Sequence, residues 1–151
     1  MQWKPNVTVS AVVVRDGRFL LVEEKVDGRI VFNQPAGHLE QNETFLDAIR
    51  REVIEETAWQ FEPESLVGVY LYPDPHADVT YLRFCFHGTC IHRFSDRPLD
   101  KEILRAVWMS RSDIEANAER LRSPMVLKCI DDYLSGRSYP LDLLNHFCRG
   151  R

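Results

Sequence analysis

Near the N-terminus, two short stretches rich in apolar residues lie on either side of a turn-forming tripeptide. In places the apolar residues follow one another, and in places they alternate with polar residues. Residues 7–14 and 18–25 are rich in valine, leucine and phenylalanine, and Arg15-Asp16-Gly17 lies between them. Asp-Gly between two β-rich stretches is a strong hairpin signal, because both residues tolerate a positive φ. The pattern predicts a β-hairpin at the start of the chain.

A helical pattern replaces the strand pattern after residue 42. Residues 30–40 form a short strand that enters a loop, which Pro35 and Gly37 interrupt. Asn42 is a suitable N-cap, and Glu43 would lie favourably at the positive end of the helix dipole. The pattern therefore predicts a helix that ends near Thr57.

The C-terminal two thirds of the chain predict three more strands and two helices. The strands cover residues 65–73, 79–91 and 104–110. Ser110 could cap a helix over residues 111–121, and a last helix over 123–136 would end at Gly136. The apolar tail 137–147 is expected to pack back on the protein. This order predicts a mixed α/β or α+β fold, and 151 residues without repeats suit a single domain over residues 1–151.

Composition narrows the class of protein. The formal net charge is −4, which argues against general binding to nucleic acid or to anionic membranes. No apolar stretch approaches the length of a membrane span. The four cysteines form no C-x-x-C pair and predict reduced thiols rather than a zinc site: Cys85, Cys90, Cys129 and Cys148. We therefore expect a cytoplasmic protein whose partner is a small molecule.

Three glutamates crowd the C-terminal end of the first predicted helix. At about 100° per residue, Glu52, Glu55 and Glu56 fall within one arc of roughly 100°, which Phe45 and Ile49 share or adjoin. The glutamates thus continue the apolar stripe, where carboxylates are costly unless a positive charge sits among them. Oxygen ligands suit Mg²⁺, Mn²⁺ or Ca²⁺, so the spacing suggests metal-assisted hydrolysis of a phosphate ester or anhydride. From spacing alone, a solvated acidic face stays an open alternative.

The same stretch resembles the signature of the Nudix hydrolase family. Gly37, five residues, Glu43, seven residues and then "REVIEETAW" match every fixed position of the Nudix box except one. Ala58 stands where the family usually has glycine. The resemblance implies the Nudix fold, a mixed β-sheet sandwiched between α-helices, which agrees with the predicted elements.

The resemblance also implies which residues carry the chemistry. Glu52, Glu55 and Glu56 would be catalytic residues and ligands of a divalent metal, one of them through water. The backbone carbonyl of Gly37 would add a further ligand. Glu52 could in addition be the base for the attacking water. We expect Mg²⁺, with Mn²⁺ as the alternative metal.

Two other box positions are implied to be structural. Arg51 would pair with Glu43 and hold the loop against the helix. At Ala58, glycine often ends the helix with a positive φ, and alanine in that conformation costs about 1–2 kcal/mol. The helix either carries that cost, continues by a residue or turns differently.

Further segments resemble the NudJ-type phosphatases of bacteria, a group within this family: "VTVSAVVV", "NQPAGHLE", "LRSPMV" and "SGRSYPLDLL". This implies release of orthophosphate from thiamine pyrophosphate, hydroxymethylpyrimidine pyrophosphate and nucleoside tri- and diphosphates. One alternative is an ADP-ribose or nucleotide-sugar diphosphatase, which the position of Pro75 would suit. Another is a catalytically inactive Nudix module that only binds a ligand, although such modules usually lose box glutamates.

Four residues outside the box are candidates for substrate binding, each with a structural alternative. Asn33 could contact substrate or cap a loop. Arg83 could bind phosphate or face solvent from its strand. Tyr70, which shares a strand face with Tyr72, could stack on a pyrimidine or pack. Ser123 could contact substrate or cap a helix.

An additional acid before the strand at 104–110 is the last candidate. Many Nudix enzymes have such a residue as metal ligand or base, and Glu102 is our first choice, with Asp100 second. A solvated loop acid is the alternative for either one. For the assembly we expect a monomer, with a homodimer as the alternative.

Overall fold

The computed structural model describes residues 1–147 and contains eight strands and three α-helices. The strands are β1 (Asn6–Val12), β2 (Val14–Arg15), β3 (Arg18–Val26), β4 (Arg29–Asn33), β5 (Ala36–His38), β6 (Trp59–Pro73), β7 (Thr80–Arg93) and β8 (Ile103–Ser110). The helices are α1 (Phe45–Thr57), α2 (Arg111–Ala116) and α3 (Met125–Leu134). No helix among the described residues is long and apolar enough to cross a membrane.

The strands form two sheets. The first has the order β5-β1-β7-β6, in which β1 and β7 are parallel and the other pairs antiparallel. In the second, β3 pairs antiparallel with β2, β4 and β8. Asp16 and Gly17 have φ values of 52° and 74° between β2 and β3, so the predicted hairpin is confirmed. The mixed sheet and flanking helices confirm the predicted α+β fold.

Helices cover both faces of the first sheet. On one face, Ala48, Ile49 and Val53 of α1 are fully buried in a cluster with Val9 and Phe86. Full burial of a large apolar side chain contributes about 1.5–3 kcal/mol, so α1 is held by packing. The tail predicted to pack back contributes Leu141 and Leu144 to the same cluster.

The other face of this sheet packs against α3. Val126, Cys129 and Ile130 of α3 are buried together with Val12 and Cys85. Strand residues therefore alternate between the α1 side and the α3 side, as a period of two requires. Polar residues on the α3 side become important because that side opens into a cavity.

Both ends of α1 differ in detail from the sequence prediction. The N-cap is Thr44, whose Oγ1 accepts a hydrogen bond from the Asp47 N–H at 3.0 Å. The prediction of Asn42 is wrong, because Asn42 takes a left-handed turn conformation with φ 67°. Ala58 ends the helix with φ 63°, and its N–H donates to the Ile54 carbonyl at 2.9 Å. The helix therefore neither continues past residue 58 nor turns differently. It ends with alanine in the left-handed conformation and carries the strain of that conformation.

The cysteines that the structure describes are buried free thiols. Cys85, Cys90 and Cys129 are each at most 3% exposed. Cys148 lies outside the described residues. Burial raises the pKa of the Cys90 thiol to about 12, so this thiol stays protonated and inert at neutral pH.

Candidate active site

A cavity of about 380 Å³ opens between the two sheets at the C-terminal half of α1. Its walls come from β1, β3, β4, β5, α1, β6, β7 and the segments that precede β8 and α3. Seven residues selected from the sequence line it: Asn33, Gly37, Glu52, Glu56, Arg83, Glu102 and Ser123. The fold therefore gathers candidates from distant parts of the chain into one place.

A group of three carboxylates stands at the edge of this cavity. Single carboxylate oxygens of Glu52, Glu55 and Asp100 all lie within 4.8 Å of one another. The Asp100 N–H donates to the Glu55 carbonyl at 2.9 Å, which ties the loop before β8 to the end of α1. Glu102, our first choice for the additional acid, lines the cavity but is not part of this group. The structure brings the second choice, Asp100, to the box glutamates.

Two of the box carboxylates are buried and resist ionisation. Glu56 is 8% exposed, and its Oε1 accepts a hydrogen bond from the Ala36 N–H at 2.9 Å. Burial raises the pKa of Glu56 to about 9; the hydrogen bond from Ala36 opposes this rise, and the nearby charges of Glu52 and Glu24 add to it. Burial likewise raises the pKa of Glu52 to about 7, against the opposing effect of Arg51. A cation among these groups would favour their ionised forms.

Arg51 places a positive charge among the carboxylates of the Nudix box. Its guanidinium donates to both carboxylate oxygens of Glu43, at 2.6 and 3.0 Å, and to the His38 carbonyl at 3.0 Å. It also donates to Glu52 at 2.6 Å and to Glu55 at 3.0 Å. The hydrogen bond from Arg51 lowers the pKa of Glu43. The pairing expected from the sequence is therefore present, and it joins the loop before α1 to the box carboxylates.

Gly37 gives Glu52 its place against the sheet. A Cβ atom at residue 37 would overlap the Glu52 carboxylate, so no larger residue fits while Glu52 keeps this position. The oxygen donors gathered here are carboxylates, which is the donor set that hard divalent cations prefer. The residues present thus fit a divalent metal, which Glu52, Glu55, Glu56 and Asp100 could hold.

Buried polar side chains form the inner wall of the cavity. Arg83 is 5% exposed and donates from Nη1 to the Gln34 Oε1 at 2.9 Å, so it does not face solvent. The Asn33 Nδ2 donates to Glu24 at 3.4 Å, and Arg122 donates to the same carboxylate at 3.1 Å. Neither the Arg83 Nε nor the Asn33 Oδ1 has a hydrogen-bond partner among the described residues. Buried polar atoms in native proteins are usually paired, so these two atoms point to a ligand or water.

The tyrosines divide between two environments. Tyr70 lies opposite Arg83 in the sheet, but its hydroxyl donates to the Asp132 carboxylate of α3 at 2.8 Å, and it does not line the cavity. The structure therefore does not place Tyr70 at the site, because α3 covers that part of the sheet. Tyr72 does line the cavity, beside its cross-strand partner Tyr81. Sequence reasoning missed Tyr81, although the period of two along β7 puts it on the same face as Arg83.

The remaining candidates, Ser123 and Glu102, come from the segments that precede α3 and β8. The Ser123 Oγ accepts a hydrogen bond from the Met125 N–H at 3.2 Å and also lines the cavity. The N-cap residue of α3 is Pro124, so the prediction that Ser123 is the N-cap is wrong, because the helix begins one residue later. Glu102 is anchored through its carbonyl, which accepts from the Lys25 N–H at 3.0 Å.

Comparison with known proteins agrees with this geometry. The sequence profile of the NUDIX domain matches residues 4–129. Over 145 residues the chain is 39% identical to Phosphatase NudJ of Escherichia coli strain K12, an alignment that covers 96% of this chain and 94% of the relative. The same identity and coverage hold for Phosphatase NudJ of Shigella flexneri.

Solved structures show the same architecture. A NUDIX hydrolase from Nitrosomonas europaea superposes with a TM-score of 0.94 at 48% identity, over 95% of this chain and 98% of that one. A MutT NUDIX hydrolase from Burkholderia pseudomallei superposes with a TM-score of 0.70 at 20% identity, over 86% of this chain and 98% of that one. At 20% identity the likeness concerns the fold alone.

Proposed function

Because this chain belongs to the Nudix hydrolase family and is a hydrolase of phosphoric anhydride bonds, we propose that it is a Mg²⁺-dependent phosphatase. It releases orthophosphate from thiamine pyrophosphate, hydroxymethylpyrimidine pyrophosphate and nucleoside tri- and diphosphates. The observation that carries this proposal is the group formed by Glu52, Glu55 and Asp100 at the edge of the cavity. The likeness to a relative named as a phosphatase supports orthophosphate as the product.

The protein's own residues divide the work. Glu52, Glu55, Glu56, the backbone carbonyl of Gly37 and Asp100 hold the metal, which when bound neutralises phosphate charge and makes water easier to deprotonate. The four carboxylates are kept in position by the fold and by Arg51, so little reorganisation is needed. Mn²⁺ would satisfy the same donors and is the alternative metal.

Proton transfer and substrate binding fall to the remaining walls. Glu102 lines the cavity and is the general base that we favour, with Glu52 as the alternative. Arg83, Asn33 and Ser123, which all line the cavity, contact the substrate. The buried guanidinium of Arg83 is well suited to phosphate oxygens, since its hydrogen bond to Gln34 fixes its orientation.

Identification of products tests the proposal. The purified protein is incubated with thiamine pyrophosphate, with CTP and with ADP-ribose, with Mg²⁺ or with EDTA, and products are followed by ³¹P NMR. We expect orthophosphate from the first two substrates with Mg²⁺, and no turnover in EDTA. Two monophosphates from ADP-ribose as the dominant reaction would instead support a nucleotide-sugar diphosphatase. Absence of any turnover would support an inactive binding module.

We also propose that the protein is a cytoplasmic monomer that binds neither nucleic acid nor membranes. The formal net charge of −4 supports the second part, because nucleic acids and anionic lipids attract basic surfaces. Light scattering coupled to size-exclusion chromatography measures the assembly directly. A mass near 17.6 kDa is expected, and twice that value would identify the homodimer alternative.

A further inference from the structure

A second cavity of about 680 Å³ continues outward from the first. Four residues line both cavities and form the boundary between them: Tyr72, Asp74, Arg122 and Ser123. We call the second cavity the outer chamber. Glu52 lies against Gly37 of β5, and Tyr72 belongs to β6; these two strands are the opposite edges of the first sheet. A substrate with its phosphates at the carboxylates would therefore extend toward the outer chamber.

The floor of the outer chamber is apolar. Val26, Val31, Leu121 and Leu127 line it, and Val31 is only 4% exposed. Tyr72 stands at its entrance, with Tyr81 beside it on the same sheet face. Aromatic side chains next to an aliphatic floor offer the surface on which a flat ring is desolvated and stacked. Phosphate would gain nothing from such a surface.

The rim of the outer chamber carries an excess of negative charge. Asp27, Asp74 and Glu119 line it, and none of them has an ion-pair partner within 4.0 Å among residues 1–147. Arg122 also lines the chamber, but its guanidinium is paired with Glu24 at 3.1 Å. Arg29 is the remaining cation, so three carboxylates face one uncompensated positive charge. The formal charge of the rim is therefore net negative, which disfavours phosphate and favours a cation.

We propose that the outer chamber binds the organic part of the substrate and selects a flat ring that carries positive charge over a neutral ring of the same shape. This inference rests on the proposed function and narrows its substrate class. The molecule accepted best has phosphates at one end, held at the carboxylate group, and a cationic heterocycle at the other end. Clefts lined by one sign of charge concentrate ligands of the opposite sign, which gives the rim its effect.

The first test concerns the position of the ring. Tyr72→Leu removes the aromatic surface at the entrance, and Tyr72→Phe keeps it. For thiamine pyrophosphate we expect KM to rise roughly three- to tenfold in Tyr72→Leu and to stay near the wild-type value in Tyr72→Phe. Hydrolysis of inorganic tripolyphosphate, which has no ring, should be unchanged in both. Equal effects of Tyr72→Leu on both substrates would overturn the assignment of the chamber to the organic group.

The second test concerns charge. Thiamine thiazolone pyrophosphate has the shape of thiamine pyrophosphate but a neutral ring, so the two form a matched pair. We expect wild-type protein to favour the cationic compound roughly three- to tenfold in KM, and the double variant Asp74→Asn/Glu119→Gln to lose most of that preference. The control variant Asp16→Asn/Asp142→Asn changes the net charge by the same amount, at two residues that line neither cavity. It should keep the preference for the cationic compound.

The outcomes separate this inference from the proposal on which it rests. Orthophosphate release from all three compounds without a preference for the cationic ring would overturn the charge selection and leave the proposed function standing. A preference that survives in the double variant would overturn the role of the rim. Absence of orthophosphate from all three compounds, tripolyphosphate included, would overturn the proposed function and this inference together.

Discussion

At the scale of single residues, the loop before β8 decides how many carboxylates meet at the end of α1. Asp100 and Glu102 are two residues apart, yet only Asp100 has a carboxylate oxygen in the group with Glu52 and Glu55. Its backbone N–H is fixed on the Glu55 carbonyl, which brings the side chain there. The sequence could not separate the two acids, because this hydrogen bond depends on the path of the loop.

Neutralising Asp100 and neutralising Glu102 should therefore have different effects on the kinetics of the enzyme. We expect Asp100→Asn to raise the Mg²⁺ concentration needed for half-maximal rate, with much of the rate recovered at high metal. We expect Glu102→Gln to lower kcat at saturating Mg²⁺ and to remove the acidic limb of the pH–rate profile. Steady-state kinetics across pH and Mg²⁺ measure both. Wild-type behaviour of Glu102→Gln would return the role of base to the box glutamates.

At the scale of elements, Arg51 connects the loop before α1 with the helix. It bonds Glu43 with both arms of the fork and reaches the His38 carbonyl behind it. Lysine has one charged group and cannot make this bidentate contact. The neighbouring Arg50 pairs with Glu62 at the surface, where its side chain is 40% exposed.

Substitution of these two arginines by lysine should show that difference. We expect Arg51→Lys to lower the free energy of unfolding of the metal-free protein by about 1–3 kcal/mol, because partly buried carboxylates lose hydrogen bonds. Arg50→Lys is the matched control and should cost less than about 1 kcal/mol. Urea denaturation in EDTA provides the measurement. Equal losses in both variants would contradict the connecting role of Arg51.

The C-terminal end of α1 permits a second comparison within one element. Ala58→Gly relieves about 1–2 kcal/mol of left-handed strain and removes a buried methyl group worth about 0.8 kcal/mol, so a small gain in stability is expected. Ala48→Gly makes the same chemical change at a right-handed, fully buried position of α1 and should lose more than about 1 kcal/mol. Thermal melting of both variants decides the point. Destabilisation of similar size in the two would show that Ala58 is unstrained.

Element types followed from the sequence more reliably than their ends and surroundings. The apolar periodicity predicted α1, but Thr44 and Asn42 are both good caps, and only the backbone turn at Asn42 excludes it. The period of two put Tyr70 and Tyr72 on one face of β6. Whether that face meets α3 or the cavity is a tertiary property, and it differs between the two residues. The Nudix box was readable because its residues share one helix and one loop.

At the scale of the whole molecule, the buried carboxylates link stability to pH. The pKa values of Glu52 and Glu56 are raised to about 7 and about 9, so between pH 4.5 and 9 the folded protein binds more protons than the unfolded chain. Stability then falls as pH rises through this window. The lowered pKa of His87 acts in the opposite direction, below about pH 6.5.

The metal-free protein should therefore melt at progressively lower temperature between pH 7 and pH 9. Each group contributes at most about 1.4 kcal/mol per pH unit. Glu56→Gln removes the group with the higher pKa, so its melting temperature should depend less on pH in this range. Saturating Mg²⁺ should flatten the wild-type curve as well, since a bound cation favours the ionised carboxylates. Parallel curves for wild type and variant in EDTA would contradict the burial of an ionisable Glu56.

The metal dependence of turnover tests the account most directly. Orthophosphate release from thiamine pyrophosphate is measured against Mg²⁺ concentration for wild type, for Glu55→Gln and for the surface control Glu62→Gln. We predict saturable activation by Mg²⁺ and no activity in EDTA for wild type and control, and a kcat lower by orders of magnitude in Glu55→Gln. Wild-type turnover in the presence of chelator, or an undiminished kcat in Glu55→Gln, would contradict the carboxylate group as the catalytic metal site.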